Sequence, residues 1–216
     1  MFSKKIWILI VLFIAPLVFY ILLLTGTNNF AKLPVVSESI NDLKHFETID
    51  SRTVSLEGKI SILIFLGDDL KPVKNNALNL NQKIYKHFYM FKDFQFVVVL
   101  PNGTQEQATQ LKNELGVITD MQKWNFVFST TQNITELFNS LKTTYQLNTH
   151  NYSPYAFIID KDMHLRGRTN DEEVVSGIRY GYNAETVAPI HNEMVDDVKV
   201  LIAEYRLALK KNKREI

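Results

Sequence analysis

The sequence predicts an α/β domain, with a central mixed sheet flanked by helices, behind one N-terminal transmembrane helix. Two observations support this prediction. Strand-like and helix-like segments alternate through the middle of the chain, an order that implies parallel central strands with an antiparallel pair at the end. The N-terminus instead carries an uncharged apolar run long enough to cross a bilayer. With 216 residues, the chain is long enough for one domain and this appendage.

The apolar run covers residues 6–24, "IWILIVLFIAPLVFYILLL", and contains no charge. At a rise of about 1.5 Å per residue it spans roughly 28 Å, close to the hydrocarbon thickness of a bilayer. A signal peptide usually has a shorter apolar region and ends in a small-x-small site, for which "LLLTGTNNFAKL" offers only poor candidates. We therefore expect an uncleaved, single-pass anchor.

The flanking residues predict which side of the membrane each part occupies. Lys4 and Lys5 precede the anchor, so the positive-inside tendency places residues 1–5 in the cytoplasm. The rest of the chain then lies on the periplasmic side of the inner membrane. Residues 25–43 are turn-prone and polar, which predicts a tether, and residues 44–216 are assigned to the domain.

Apolar runs predict the strands. "ISILIFL", residues 60–66, is apolar on both faces and rich in β-branched residues, which indicates a central strand covered on both sides. "HFETIDSRTVSL", residues 45–56, predicts a short hairpin with its turn at Asp50 and Ser51. Further strands are predicted at residues 94–100, 124–129 and 155–160.

Capping patterns and spacing predict the helices. Thr104 with Gln107 resembles a capping box that opens a helix ending before Gly116. Asn133 is predicted to cap the next helix, together with Glu136. From about residue 186 the apolar positions recur at spacings of three and four, which predicts a long amphipathic C-terminal helix.

The chain contains no cysteine, which excludes disulfides, thiolate metal sites, cysteine nucleophiles and thiol redox chemistry. Its net charge of +1 gives no reason to expect a nucleic-acid partner. No phosphate-binding, serine-hydrolase or zinc-protease motif is present. We therefore expect a protein that is not an enzyme, with no catalytic residues, cofactor or metal site.

Three stretches together resemble the thioredoxin superfamily, and specifically its Sco/SenC-like branch of copper-handling cytochrome oxidase assembly proteins. They are "VSLEGKISILIFLG" (residues 54–67), "WNFVFSTTQNITELFNSLKTTYQL" (124–147) and "SPYAFIIDKDMHLRGR" (153–168). The resemblance implies a thioredoxin-like sandwich in the cell envelope. It also implies that Pro154, before the last long strand, is cis.

The Sco/SenC-like family carries two cysteines spaced C-x-x-x-C, with a distant histidine. In this chain the resemblance places the cysteine positions at Leu70 and Lys74, or one residue later at Lys71 and Asn75, so no thiolate is supplied in either register. The histidine position falls near Tyr152, two residues after His150. The resemblance thus implies an assembly role without redox or thiolate copper chemistry.

The former cysteine loop and the residues facing it are the candidate site. We expect this surface to contact a protein partner in the cell envelope, and we call it the vestigial-site surface. Its residues are Asp68, Asp69, Leu70, Lys71, Tyr152 and Pro154.

Alternatives remain open for two features. His150 with Asp68 or Asp69 would form a metal site with non-thiol ligands, or the aspartates simply cap the following helix; an enzyme acting through the same pocket is a further alternative. The loop "GIRYGYN", residues 177–183, offers aromatic and arginine side chains for an interface, or packs onto the edge of the sheet.

Overall fold

The computed structural model describes residues 4–25 and 32–212, in two compact units, Met1–Ala31 and Lys32–Ile216. In the first unit, helix α1 (Lys4–Thr25) is continuous through Pro16. Its stretch Lys4–Leu22 has a mean hydropathy of 2.5 with no residue buried. By length and composition, α1 is therefore apolar enough to cross a membrane, as the sequence predicts.

The second unit alternates strands and helices. The strands are β1 (Val35–Ser37), β2 (Glu47–Thr48), β3 (Ile60–Leu66), β4 (Phe94–Pro101), β5 (Trp124–Ser129), β6 (Tyr152–Ile159), β7 (Leu165–Arg166), β8 (Arg168–Thr169), β9 (Ile178–Arg179) and β10 (Tyr182–Asn183). The helices are α2 (Leu70–Leu80), α3 (Lys86–Phe88), α4 (Gln105–Gly116), α5 (Thr131–Ser140), α6 (Val187–Pro189) and α7 (Val195–Asn212). The π-helical turns Asn81–Tyr85 and Ile190–Met194 connect α2 to α3 and α6 to α7.

The main sheet is mixed and has the strand order β1-β7-β6-β3-β4-β5-β2, with β10 also paired to β6. Strands β3, β4 and β5 are parallel, because helices connect them, and β6 runs antiparallel to β3. β8 and β9 form a separate small hairpin. This arrangement confirms the predicted mixed sheet flanked by helices.

Each face of the sheet carries its own hydrophobic core. Alternate residues of β3 point to opposite faces, so Ile62 and Ile64 join one core and Leu63 and Phe65 join the other. The first core includes residues of α2, α4 and α7, and the second includes residues of α5. Burial on both faces explains why β3 is apolar along its whole length.

The folded unit begins earlier than the sequence indicates. Within the segment 25–43, predicted to be a tether, β1 pairs antiparallel with β7, and Leu33, Ile40 and Leu43 are buried. Residues 45–56 do not form the predicted hairpin, because the strand there, β2, pairs with β5. β2 covers one edge of the sheet and β1 covers the other. The polar segments that contain these two strands therefore protect the sheet edges.

The helix starts also differ in detail. Thr130, which directly follows β5, caps α5, and its Oγ1 accepts a hydrogen bond from the Asn133 amide at 3.3 Å. The Thr104 hydroxyl donates to the Pro101 carbonyl at 2.8 Å, so the predicted capping box is not formed. α4 also includes Gly116.

The prediction that Pro154 is cis is wrong, because no peptide bond in residues 4–25 and 32–212 is cis. Pro154 lies inside β6, at an irregularity where Ile64 pairs with Ala156 but Leu66 pairs with Tyr152. The extra residues on β6 form a bulge that takes Pro154 out of the ladder, which accommodates its missing N–H with a trans bond.

The loop 177–183 packs onto the sheet edge, since Tyr182 of β10 pairs with Ala156 of β6. Arg179 anchors the loop. Its Nε lies 2.6 Å from Asp171, and its Nη1 lies 2.8 Å from Glu193 on the second π-helical turn. The buried Arg179 guanidinium therefore joins the β8–β9 hairpin to the start of the C-terminal helix.

We predict that Arg179→Met destabilises the folded unit by about 3 kcal/mol at neutral pH, because Asp171 and Glu193 lose the cation that compensates their burial. The Arg179 hydrogen bond holds the pKa of Asp171 below its usual value of 3.8. The stabilisation by this pair is therefore present above about pH 4 and is lost as pH falls through the lowered pKa.

The difference in melting temperature between Arg179→Met and the parent should thus stay constant from pH 7 to about pH 4 and shrink below that pH, as Asp171 becomes protonated. Thermal unfolding of the full chain in detergent, followed by circular dichroism, measures this. Lys199→Met is the control, since within the described residues Lys199 pairs with the exposed Asp196, and its loss should cost under about 0.5 kcal/mol. A melting temperature of Arg179→Met equal to that of the control would contradict the prediction.

Candidate functional site

A pocket of about 650 Å³ lies where β3 ends and α2 begins. The start of β6, the loop before it and the segment before α6 complete its walls. The lining residues are Leu66, Gly67, Asp68, Asp69, Pro72, Val73, Asn75, Asn76, Asn148, His150, Tyr152 and Glu185. The pocket thus occupies the place at which the sequence predicts the vestigial-site surface.

Gly67 allows the two loops of the site to approach each other. Its φ of +77° is a left-handed conformation that favours glycine. A Cβ on Gly67 would lie 2.8 Å from the His150 carbonyl oxygen and 3.0 Å from Tyr152 Cβ. Only a residue without a side chain therefore fits between β3 and the start of β6.

Asp68 and His150 contact each other across the pocket rim. The His150 Nδ1 lies 3.1 Å from each carboxylate oxygen of Asp68, and the Asp68 amide donates to the His150 carbonyl at 3.2 Å. Their side chains are 47% and 68% exposed, so this contact contributes at most about 1 kcal/mol. Its effect is to orient His150 beside the pocket.

Asp69 caps α2, and its Oδ1 accepts a hydrogen bond from the Lys71 amide at 3.1 Å. Gln107 of α4 holds the same loop from the other side. Its Oε1 accepts from the Leu70 amide at 3.1 Å, and its Nε2 donates to the Asp68 carbonyl at 3.2 Å. The loop is therefore fixed by two helices.

Tyr152 connects three elements at the inner wall of the pocket. Its hydroxyl donates to Glu185 Oε1 at 2.8 Å and accepts from Asn76 Nδ2 at 2.8 Å. Burial, followed by the hydrogen bond to Glu185, raises the pKa of Tyr152 to about 12. Tyr152 consequently stays a neutral hydrogen-bonding group at physiological pH, and the pocket gains no phenolate nucleophile.

The pocket lining carries negative charge. Asp68, Asp69 and Glu185 contribute carboxylates, and none of the lining residues is lysine or arginine. Thiolates are excluded because the chain has no cysteine. The lining therefore suits hydrogen-bond donors and cations, and offers no group that could act as a strong nucleophile.

A metal site is not assembled at the pocket. Among the described residues, the group of three acidic or histidine side chains close enough to share an ion is Asp160, Asp162 and His164, at the opposite end of β6. There the Arg166 Nη1 already lies 2.8 Å from Asp160. At the pocket, Asp68 and His150 form a pair, and no third acidic or histidine side chain of the described residues has a ligand atom within 4.8 Å of both.

The residues of the vestigial-site surface separate into three groups. Asp68, Asp69 and Tyr152 line the pocket, while Lys71 is exposed on the outer side of α2. Leu70 is only 4% exposed and belongs to the core, so its side chain supports α2 from inside. Pro154 is half-buried and does not line the pocket.

Four polar residues at the site were not predicted. Three of them act through partners distant in sequence, so no local pattern marks them. Asn148 is the exception, because its Oδ1 accepts from the nearby His150 and Tyr152 amides, as asparagine does in turns. The four are Asn76, Gln107, Asn148 and Glu185.

The positions that the resemblance assigns to cysteines lie on the first two turns of α2. Lys74 forms an ion pair with Glu114 of α4, and Asn75 lines the pocket. Leu70 and Lys71, one turn earlier, lie on the core side and the exposed side respectively. In either register, the two positions hold side chains that make ordinary structural contacts or are polar and exposed.

Comparisons with solved structures show that the fold is thioredoxin-like. The chain is similar to BsSco, a member of the Sco family of cytochrome c oxidase assembly proteins, with a TM-score of 0.55 and 15% identity over 78% of this chain and 95% of that one. It is also similar to a SCO1/SenC family lipoprotein from Bacillus anthracis, with a TM-score of 0.54 and 16% identity over 80% and 99%. A putative protein disulfide isomerase from Bacteroides thetaiotaomicron gives 0.53 and 13% over 79% and 94%.

The likeness to these proteins confirms the predicted thioredoxin-like sandwich, and Sco/SenC proteins are among the structures that share it. No family model matches the sequence, and no curated protein matches it. At these identities the comparisons define the class of fold. The chain is accordingly a thioredoxin-fold protein without cysteine.

We predict that Gly67→Ala destabilises the protein more than Gly58→Ala. Both glycines have similar positive φ values, +77° and +74°, but a Cβ at Gly58 would meet nothing within 4 Å. Gly58→Ala should therefore cost only the backbone strain of about 1–2 kcal/mol. Gly67→Ala adds a collision with the His150 backbone, worth a further 1–3 kcal/mol.

Denaturant unfolding of the two variants compares these costs directly. In Gly67→Ala the hydrogen bond from the Asp68 amide to the His150 carbonyl should also break, which accelerates hydrogen exchange at Asp68. Equal losses of stability in the two variants would show that the close approach of the loops is not a constraint.

Proposed function

We propose that this protein is a membrane-anchored, extracytoplasmic thioredoxin-fold protein with a non-catalytic binding or assembly role, linked to the biogenesis of a respiratory oxidase. α1 is the single inner-membrane anchor in this proposal, and the folded unit lies on the periplasmic side. The link to the oxidase rests on the Sco family neighbours, one of which is described as a cytochrome c oxidase assembly protein.

The observation that carries the proposal is the pocket itself. A thioredoxin-like fold keeps its loop in place through Gly67, Asp69 and Gln107, yet the loop holds no thiol. A fixed and open concave surface without a nucleophile is suited to binding a protein group. We assign the exposed part of the vestigial-site surface, Asp68, Asp69 and Lys71, as the partner contact.

The same features argue against an enzyme. The thiol-disulfide reactions of the superfamily require a thiolate that attacks sulfur, and this chain has none. The nearest ionisable aromatic group, Tyr152, has its pKa raised to about 12 and is occupied by Asn76 and Glu185. A role as a scaffold or binding component therefore accounts for the site better than catalysis does.

We predict that a photoreactive group at Lys71 captures an envelope protein. Lys71 is exchanged for p-benzoylphenylalanine in the full chain, the native membranes are irradiated, and the adducts are identified by mass spectrometry. The expected adduct contains a respiratory or assembly protein. It should fall at least fivefold in Asp68→Lys, which reverses the charge of the pocket rim.

The same probe at Lys112, on α4 away from the pocket, is the matched control and should not give that adduct. If Lys71 gives no adduct with a respiratory or assembly protein, the proposed role fails. If the adduct is unchanged by Asp68→Lys, the pocket rim is not the contact.

A metal-binding function is the second candidate, favoured by the 3.1 Å contacts between His150 and Asp68. Because this pair lacks a third close ligand, we predict that Cu(II) and Zn(II) bind the full chain no more tightly than micromolar. Isothermal titration in detergent measures the affinity. Submicromolar binding that His150→Ala removes would replace the proposed function by a metal site.

A further inference from the structure

Positive charge is concentrated where the central strands end on the side of the sheet opposite the pocket. Lys59 precedes β3, Lys92 and Lys123 lie just before β4 and β5, and Lys161 follows the antiparallel β6, so four neighbouring strands place a lysine at the same edge. Arg206 of α7 joins them, with its guanidinium 4.4 Å from the centre of the Phe91 ring. We call these five residues the basic edge.

Most cations of the basic edge have no carboxylate in direct contact among the described residues. Asp93 lies 2.6 Å from Lys161, and Lys59 and Lys92 also act on it, so the pKa of Asp93 is held below its usual value, chiefly by the hydrogen bond from Lys161. Asp162 accepts a hydrogen bond from Tyr205, and Asp120 lies near Tyr85. Among the five cations, Lys161 is the one that forms an ion pair within the described residues, so the other four charges are not neutralised by a direct contact.

The C-terminal sequence is also basic. After Arg206 the chain contains four further cations against one acid. These are Lys210, Lys211, Lys213 and Arg214, with Glu215 as the acid.

Apolar groups lie among these charges. A shallow apolar pocket of about 170 Å³ is lined by Phe91, Phe94, Ile202 and Tyr205, with Lys92, Lys161 and Arg206 around it. Met90, next to Phe91, is 76% exposed. Exposed apolar side chains surrounded by lysine and arginine are typical of surfaces that lie on anionic lipid headgroups.

We infer that the basic edge lies on an anionic phospholipid surface. Charge complementarity selects this occupant, and the same chain carries a helix apolar enough to cross a membrane, which would supply lipid at high local concentration. Each lysine or arginine close to such a surface contributes about 1 kcal/mol, so several of them suffice to hold the folded unit there.

Hydrogen exchange of the full chain in lipid nanodiscs tests the inference. One preparation contains phosphatidylcholine only, and the other contains phosphatidylglycerol as well. We expect the amides of residues 86–92 to exchange about tenfold more slowly in the anionic discs. This slowing should disappear at 0.5 M salt, because screening at that ionic strength acts over a few ångströms.

The double variant Lys59→Glu, Lys92→Glu should abolish the slowing. Neither lysine side chain donates a hydrogen bond within the described residues, so the fold should survive, and an unchanged melting temperature verifies this. The double variant Lys44→Glu, Lys112→Glu makes the same change in net charge away from the basic edge and should keep the slowing.

Three outcomes would overturn the inference. Equal exchange in the two lipid compositions would leave an acidic protein as the occupant of the basic edge. Slowing that persists in Lys59→Glu, Lys92→Glu would place the lipid contact elsewhere. Equal slowing by inorganic phosphate in phosphatidylcholine discs would identify a small-anion site.

Discussion

Burial of β3 on both faces is the constraint on which the rest of the structure depends. Residues Ile60–Leu66 are all buried, and they pair with β4 on one side and β6 on the other. Both cores are built on this strand, and its end fixes where Gly67 and Asp68 emerge. Because a shift of one residue would exchange the two faces of β3, the register of the strand also determines which side chains reach the pocket.

The parts of the fold with a strong local signal could be predicted from the sequence. The long apolar runs predicted the central strands, and apolar residues at spacings of three and four predicted the C-terminal helix. The fold of the segment before β3 could not be predicted, because Leu33, Ile40 and Leu43 are isolated among polar residues. Their burial depends on packing against the sheet, which no local pattern shows. The cis isomer of Pro154 was inferred from a resemblance and not from the residues themselves. The bulge in β6 accommodates the proline with a trans bond.

The site shows the same division. The position of the loop follows from the end of a buried strand, so Asp68 and Asp69 could be placed from the sequence. The contacts of Tyr152 with Asn76 and Glu185 join residues that are 76 and 33 positions apart. Sequence patterns predict contacts between residues a few positions apart, so these contacts could not be predicted. What the sequence does establish without any structure is chemical, since a chain without cysteine cannot perform thiol chemistry in any fold.

The two ends of β3 have a joint electrostatic consequence. Carboxylates gather at the end where the strand enters the pocket, and lysines gather at the end where it begins. Seven residues of strand separate these groups by roughly 20 Å, so the two groups together contribute an electric dipole directed along the central strand. Near any charged surface this dipole exerts a torque on the protein, which orients it before a contact is made.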